Sequence, residues 1–306
     1  MATTLVTGGT GYVGSFLAPR LKERGRTVRL LVHDTRHVPP VLHAGGYELV
    51  EGDVTRPETL GPAFEGVDAV IHLVAIIKER GGVTFERVNY RGTVNAVDAA
   101  KAAGVRRFLH MSANGVRDDP HYPYFQTKYR AQEYVADSGL DYTIFQPSVI
   151  FGEGDEFVNK LADLVRKPLI FLPAPILPIA GDGRAPFQPV WGGDVADAFV
   201  KALDDRATIG QVYQLGGPER LTYEELIDIV MGVLGVRRVK AHVPLPLMKP
   251  AVAAMNAALP DPPVTDQQFK MLNLDNSTPQ SATERLIGRP PRRFADGIDY
   301  IRAGRG

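Results

Sequence analysis

The sequence contains no cysteine, which excludes disulfides, thiolate catalysis and cysteine-based metal sites. It also has no surplus of either charge: Lys+Arg and Asp+Glu both number 35, for a formal net charge of zero. A protein that grips a phosphate backbone usually carries a basic surplus. There is no basic stripe with interleaved aromatics either, so no nucleic-acid partner is expected. No stretch approaches ~20 uninterrupted apolar residues, so no membrane-spanning helix is expected. The opening MATTLVTGGTG has no basic region followed by an apolar run, so no cleaved signal is expected. The seven histidines form no HExxH or comparable cluster, so no metal is expected. Repeats and low-complexity tracts are missing. These absences fit a soluble, cytoplasmic protein and leave its oligomeric state open.

What is present is an ordinary globular composition, with 44% apolar and 23% charged residues over 306 positions. Strand-like and helix-like segments alternate through the first half. TTLVT (3–7), TVRLLV (27–32), YELVEGDV (47–54), DAVIHLVA (68–75), RRFLHMS (106–112) and DYTIFQP (141–147) read as strands. Val13, Phe16, Leu17 and Leu21 share one helical face, with Gly25 as the stop and Pro19 as an expected kink. A helix is expected over 89–104 and another from YFQTKYRAQEYVADSG. Apolar strands alternating with helices predict an α/β fold, a doubly wound parallel sheet covered on both faces.

After residue 150 the rhythm breaks. The reading places residues 1–155 plus about 184–217 in a Rossmann domain. A smaller C-terminal substrate or partner lobe takes about 156–183 plus 218–306. Two apolar segments, 168–180 and 244–260, are interrupted by prolines. Either suits an apolar pocket or peripheral contact with a membrane surface.

VTGGTGYVG (6–14) lies between the first strand and the first helix, with Gly8, Gly11 and Gly14 three apart. One glycine makes the tight turn, one lets the backbone approach a pyrophosphate, and one allows close helix–strand packing. The helix N-terminus then offers free N–H groups to phosphate. The spacing is GxxGxxG, and TGGTGYVG resembles the fingerprint of extended and atypical short-chain dehydrogenases/reductases. GDVT (52–55), HLVA (72–75), VNYRGTVN (88–95), QPSVIFGEGD (146–155) and GDVADAF (193–199) resemble that family's later motifs in order. The pattern is similar to that of atypical members such as the nucleotide-binding accessory subunit of respiratory complex I and its bacterial relatives.

The resemblance implies nicotinamide dinucleotide binding by Gly8, Thr10, Gly11, Tyr12, Val13 and Gly14. It adds Asp53 and Val54 at the adenine, Leu73, Val74 and Ala75 at the ribose, and Ser112, Lys128, Gln146 and Pro147. An acid at the end of the second strand selects NAD, and a cation selects NADP. Counting from Thr7, the acid position falls on Val32. His33 falls where relatives often carry arginine, Arg36 is near, and Asp34 opposes them. The reading favours NADP(H) over NAD(H); a plain polar turn is the competing reading.

YPYFQTKYRA (122–131) holds three tyrosines, but only Tyr124 has a lysine four residues on, namely Lys128. That spacing puts both on one helical face. It resembles the family's catalytic Tyr-x-x-x-Lys, which implies Tyr124 as acid/base and Lys128 as its tuner and ribose ligand. A nearby ammonium and an oxidised nicotinamide are expected to bring the phenol towards working pH. The family's Ser/Thr hydroxyl position falls on Asn114, which can still donate a hydrogen bond. Gln146 stands for the family's common arginine. His72 and His110 lie in or at the ends of apolar strands and are expected to be hydrogen-bonded structural residues.

Two functions follow. One is an NAD(P)-dependent oxidoreductase or epimerase with Tyr124, Lys128 and Asn114 in a cleft between the lobes. Its substrate would be an apolar or amphipathic small molecule such as an isoprenoid, quinone or lipid. The other is a non-catalytic NADP(H)-binding subunit or redox sensor acting through a protein partner, motivated by Asn114.

Overall fold

The computed structural model describes residues 1–166, 176–258, 266–271 and 274–303. Of the apolar segment expected at 168–180, only its end lies within these residues; the close of 244–260 also lies outside them. The chain divides into two compact units. The first comprises Met1–Pro147, Gly192–Leu215 and Ser281–Arg289. The second comprises Ser148–Trp191, Gly216–Gln280 and Pro290–Gly306.

The first unit is built on a seven-stranded sheet. Its strands are β1 (Thr3–Thr7), β2 (Thr27–Val32), β3 (Glu48–Glu51), β4 (Ala69–His72), β5 (Arg107–Met111), β6 (Asp141–Pro147) and a last strand, Gln211–Leu215. Their order is β3, β2, β1, β4, β5, β6, then Gln211–Leu215. Every neighbouring pair is parallel. This is the doubly wound α/β sheet that the alternating pattern predicts. The strand order reverses between β1 and β4, and such switch points open the ligand crevice at the carboxyl ends of the strands.

Alternation along the strands supplies two cores. Leu5, Val70, Phe108 and Ile144 face one side and pack with Ala96, Val97 and Ala100 of the Gly92–Ala102 helix. On the other side Phe145 meets Phe199 of the Gly192–Asp204 helix, with ring centroids 4.4 Å apart. Each such fully buried aromatic contributes roughly 1.5–3 kcal/mol through removal from water. The first helix, α1 (Tyr12–Glu23), continues through Pro19, which lies on its exposed side where a freed carbonyl meets water. The segment expected as one helix over 89–104 opens with a π-helical turn, Glu86–Arg91, before the regular Gly92–Ala102 helix. Ser281–Arg289 joins this unit through Ala282 N, which donates to Gln214 O at 2.9 Å. Arg289 also pairs with buried Asp194 at 2.7 Å.

The second unit has its own core of Val158, Leu161, Ile179, Leu226, Ile227, Val230 and Phe294. Its Tyr223–Leu234 helix starts on a reciprocal cap: Thr222 Oγ1 accepts from Glu225 N, and Thr222 N donates to Glu225 Oε2. Gly235, at φ 64°, ends it in the left-handed conformation. Ile176–Ala180 pairs in parallel with Val239–Val243. No helix of the described residues is long and apolar enough to cross a membrane.

Candidate nucleotide and catalytic site

The β1–α1 turn is a close-packed glycine structure. Gly8 adopts φ 77°, and Gly11 N donates to Gly8 O at 3.0 Å. A Cβ on Gly8 would lie 3.1 Å from Val74 N, so the turn rests on the segment that follows β4. A Cβ on Gly14 would lie 2.3 Å from Gly9 O, a backbone atom with nowhere to go. Thr10 and Gly11 are exposed, Tyr12 is half-buried, and Val13 and Gly14 turn inward. No side chain caps α1, and its first turn carries no acid. Its leading N–H groups therefore keep their partial positive charge, reinforced by the helix dipole. An uncapped, glycine-lined helix start at a switch point fits a dinucleotide's diphosphate.

The neighbouring strand ends hold the other expected nucleotide residues. Val32 closes β2 and is buried. Beyond it, Asp34 accepts from Arg36 N and Nε, both at 2.9 Å, and from Arg36 Nη2 at 2.8 Å. Asp34 thus caps a 3-10 turn over Thr35–His37 and partly neutralises the exposed Arg36. Its hydrogen bonds hold the Arg36 guanidinium pKa above its ordinary value. His33 is exposed, with Nε2 3.9 Å from Asp53 Oδ1. Burial works against the charge of Asp53, but hydrogen bonds from Thr55 N and Oγ1 outweigh it and hold the carboxyl below its usual range.

Val54 is buried, and its carbonyl accepts from Asn95 Nδ2 at 2.7 Å. At the end of β4, Leu73 N donates to Thr7 O at 3.0 Å, with Val74 and Ala75 half-buried just beyond. Buried Asn89 clamps the next residue: it accepts from Ile76 N at 2.8 Å and donates to Ile76 O at 3.1 Å. Asn89 escaped the sequence reading because it lies inside a helical run; only the motif VNYRGTVN signalled it.

The third cluster forms where β5 and β6 end. Ser112 N donates to Phe145 O at 2.7 Å, and Asn114 N donates to Pro147 O at 2.9 Å. Both residues are buried. Gln146 Nε2 donates to Gln132 Oε1 at 2.8 Å, which ties β6 to the Pro123–Ala136 helix. Pro123 starts that helix at a position where no N–H is needed. Tyr124 follows, its half-buried ring edge-on to Phe85 and Phe125 at 5.7 and 5.5 Å. Lys128, one turn on, is 1% exposed and donates from Nζ to Met111 O.

Both titrations depart from their ordinary values. Burial pushes the Tyr124 phenol up to about 12 and draws the Lys128 ammonium down to about 7. The physical reason is desolvation by the surrounding rings, while Lys128 is engaged with a β5 carbonyl.

The two strand histidines also separate. His72 Nδ1 meets Thr7 Oγ1 at 2.7 Å and its Nε2 meets Thr93 Oγ1 at 3.1 Å, as a structural histidine should. His110 corrects that expectation, for neither ring nitrogen has a hydrogen-bond partner among the described residues. Among the described residues no group of three His, Cys, Asp or Glu could hold a metal.

Comparison with known proteins agrees with this geometry. The family model described as NAD(P)H-binding matches residues 8–162, from the glycine turn past β6. The chain belongs to that NAD(P)H-binding family. Its relatives include the mitochondrial NADH-ubiquinone oxidoreductase 40 kDa subunit of Neurospora crassa, 26% identical over 96% of this chain and 77% of that protein. Another is the 3 beta-hydroxysteroid dehydrogenase/Delta 5-->4-isomerase of Mycobacterium tuberculosis, 28% identical over 95% of this chain and 86% of that protein. The crystal structure of gox2253 superposes with a TM-score of 0.74 at 26% identity, over 98% of this chain and 96% of that one. A Thermus thermophilus UDP-glucose 4-epimerase complex with NAD shares the fold, with a TM-score of 0.69 at 21% identity over 97% of this chain and 96% of that one. The resemblance to short-chain dehydrogenases/reductases of the extended and atypical branch is thereby established.

Proposed function

We propose that the protein is an NADP(H)-dependent oxidoreductase in which Tyr124 is the proton donor and Lys128 its companion. The observation that carries this reading is the placement of Tyr124 and Lys128 on the helix after β5, with Lys128 drawn to the end of that strand. In this family the nicotinamide supplies or accepts the hydride. The chain's own residues do the rest. The uncapped start of α1 holds the diphosphate, and the Leu73–Ala75 segment, fixed by Asn89 through Ile76, forms the floor beside it.

At neutral pH a phenol raised to about 12 keeps its proton. Tyr124 can then protonate a carbonyl oxygen that is gaining hydride. Lys128, near its midpoint at about 7, can hold ribose hydroxyls in either protonation state and can take up or release the matching proton. Asn114, buried at the end of the β5 extension, is the substitute donor for the substrate oxygen.

His33 and Arg36 support NADP(H), because Asp34, the acid between them in sequence, already accepts from Arg36. The second unit supplies no strand to the seven-stranded sheet, and we assign it substrate or partner selection. Leu247, 70% exposed on the Leu245–Ala258 helix, supports an apolar or amphipathic substrate. A second reading is a coenzyme-holding subunit without turnover. It is favoured by Asn114 at the hydroxyl position and by the relatives that are named as subunits of NADH-ubiquinone oxidoreductase.

Tyr124→Phe decides between them. With a panel of apolar ketones and quinones, catalysis predicts coenzyme oxidation in the parent protein and a loss of ~100-fold or more in Tyr124→Phe, with coenzyme affinity kept. Equal rates in both proteins would overturn the role of Tyr124. Tight coenzyme binding without turnover in either would favour the subunit reading.

A further inference from the structure

Three buried polar groups gather at the carboxyl end of β5 with too few protein partners. His110 and Ser112 stand two residues apart, so their side chains project from the same face of the extended chain. Strand register sets His110 beside His72 of β4, and their rings stack with centroids 5.6 Å apart and planes at 15°. His72 is fully satisfied by Thr7 and Thr93. His110 is fully buried, and both of its ring nitrogens lack a hydrogen-bond partner among the described residues. Ser112 Oγ is equally buried and equally unpartnered. Lys128 spends one of its three donors on Met111 O, the carbonyl between those two residues in sequence.

Each buried polar group left unsatisfied costs about 1–3 kcal/mol. Interiors meet such demands with bound water, which needs two to four polar partners. His110, Ser112 and Lys128 together supply that number.

We propose that His110 is a positioning residue for Lys128, supporting its ammonium through ordered water shared with Ser112 at the end of β5. The inference deepens the function proposed above, since Lys128 is the group which that reading places beside the coenzyme. The titratable groups facing His110 are Lys128 from the Pro123–Ala136 helix and His72 from β4. On the β6 side its register partner is Ile144, which is apolar. Thr93, from the Gly92–Ala102 helix, bonds to His72 and does not titrate. Burial first, then the charges of Lys128 and His72, hold His110 well below the ordinary histidine value, so its ring stays neutral. A neutral imidazole keeps one lone pair, which can accept through water from the ammonium, and one N–H to donate onward. Burial already depresses Lys128, so losing this support should depress it further.

The test is the titration of Lys128 in the full chain, followed by carbon NMR of labelled lysine, with the signal assigned by its loss in Lys128→Met. His110→Leu is expected to lower the Lys128 midpoint by ~1 pH unit, and Ser112→Ala to lower it by less. His110→Gln, which keeps a polar acceptor, is expected to return it close to the parent value. An unchanged midpoint in His110→Leu, or a fall in His110→Gln as large as in His110→Leu, would overturn the proposal. If His110→Leu does not fold, Ser112→Ala decides, and an unshifted midpoint there overturns it. The readout needs no turnover. A shifted midpoint in a protein that reduces no carbonyl therefore leaves this inference standing and removes only the catalytic reading.

Discussion

Lys128 is buried with its charge suppressed, and the cost should be visible as a pH-dependent stability. An exposed lysine titrates near ~10.4, whereas Lys128 in the fold titrates at about 7. Between those values the unfolded chain carries a proton that the folded chain has released. Raising the pH through that window therefore removes the unfolded state's advantage, and stability rises. The slope approaches ~1.4 kcal/mol per pH unit well above the folded midpoint, and the gain from about pH 7 to about pH 9 is roughly 2 kcal/mol. Lys128 is 1% exposed, so solvent screening gives little discount. The Tyr124 and Tyr223 phenols, both pushed up to about 12 by burial, stay protonated throughout and leave the slope alone.

Urea unfolding at several pH values, for the parent and for Lys128→Met, isolates the effect. The variant should lose the rise. At neutral pH it should be more stable by a few kcal/mol at most, because the ~4 kcal/mol charge penalty it removes is partly offset by the Met111 carbonyl left unpaired. Parallel stability curves for the two proteins between about pH 7 and about pH 9 would refute the argument that Lys128 is buried with its charge suppressed.

Two further substitutions probe the nucleotide end of the site. Gly14→Ala forces a Cβ to within 2.3 Å of Gly9 O, so the start of α1 must move; coenzyme affinity measured by calorimetry should fall ~100-fold or more. Gly61→Ala, where a Cβ meets nothing within 4 Å, is the control; it should leave affinity unchanged and stability unchanged or slightly raised. Arg36→Ala should weaken NADPH about tenfold and NADH little, and Asp34→Asn should do the reverse for NADPH by freeing the guanidinium; fluorescence titration with both coenzymes checks the pair.

Much of the first unit was legible because strands buried on both faces leave an unbroken apolar record. The strand DYTIFQP was expected over 141–147, and β6 spans Asp141–Pro147. The glycine turn was legible for a related reason, since backbone crowding of the kind found at Gly14 leaves glycine as the residue that fits. The helix expected over 89–104 was less so. Its first turn is π-helical, while Asn89 reaches across to Ile76 and its own carbonyl accepts from Thr93 Oγ1, contacts that local periodicity does not encode.

Tyr124 and Lys128 could be picked out by spacing, but their titrations could not. Those follow from burial among residues, Phe85 among them, that the fold brings in from distant parts of the chain. The same holds for His110. One histidine in an apolar strand looks like another, and only the register with His72 and the lack of a hydrogen-bond partner for its ring among the described residues set it apart.

The central claim is that backbone amides at the start of α1 hold a nicotinamide dinucleotide. Amide NMR of the labelled protein during titration with NADP(H) tests it most directly. The account predicts saturable shifts that are largest at Gly11, Tyr12, Val13 and Gly14. Millimolar coenzyme that leaves these four amides unmoved would contradict it.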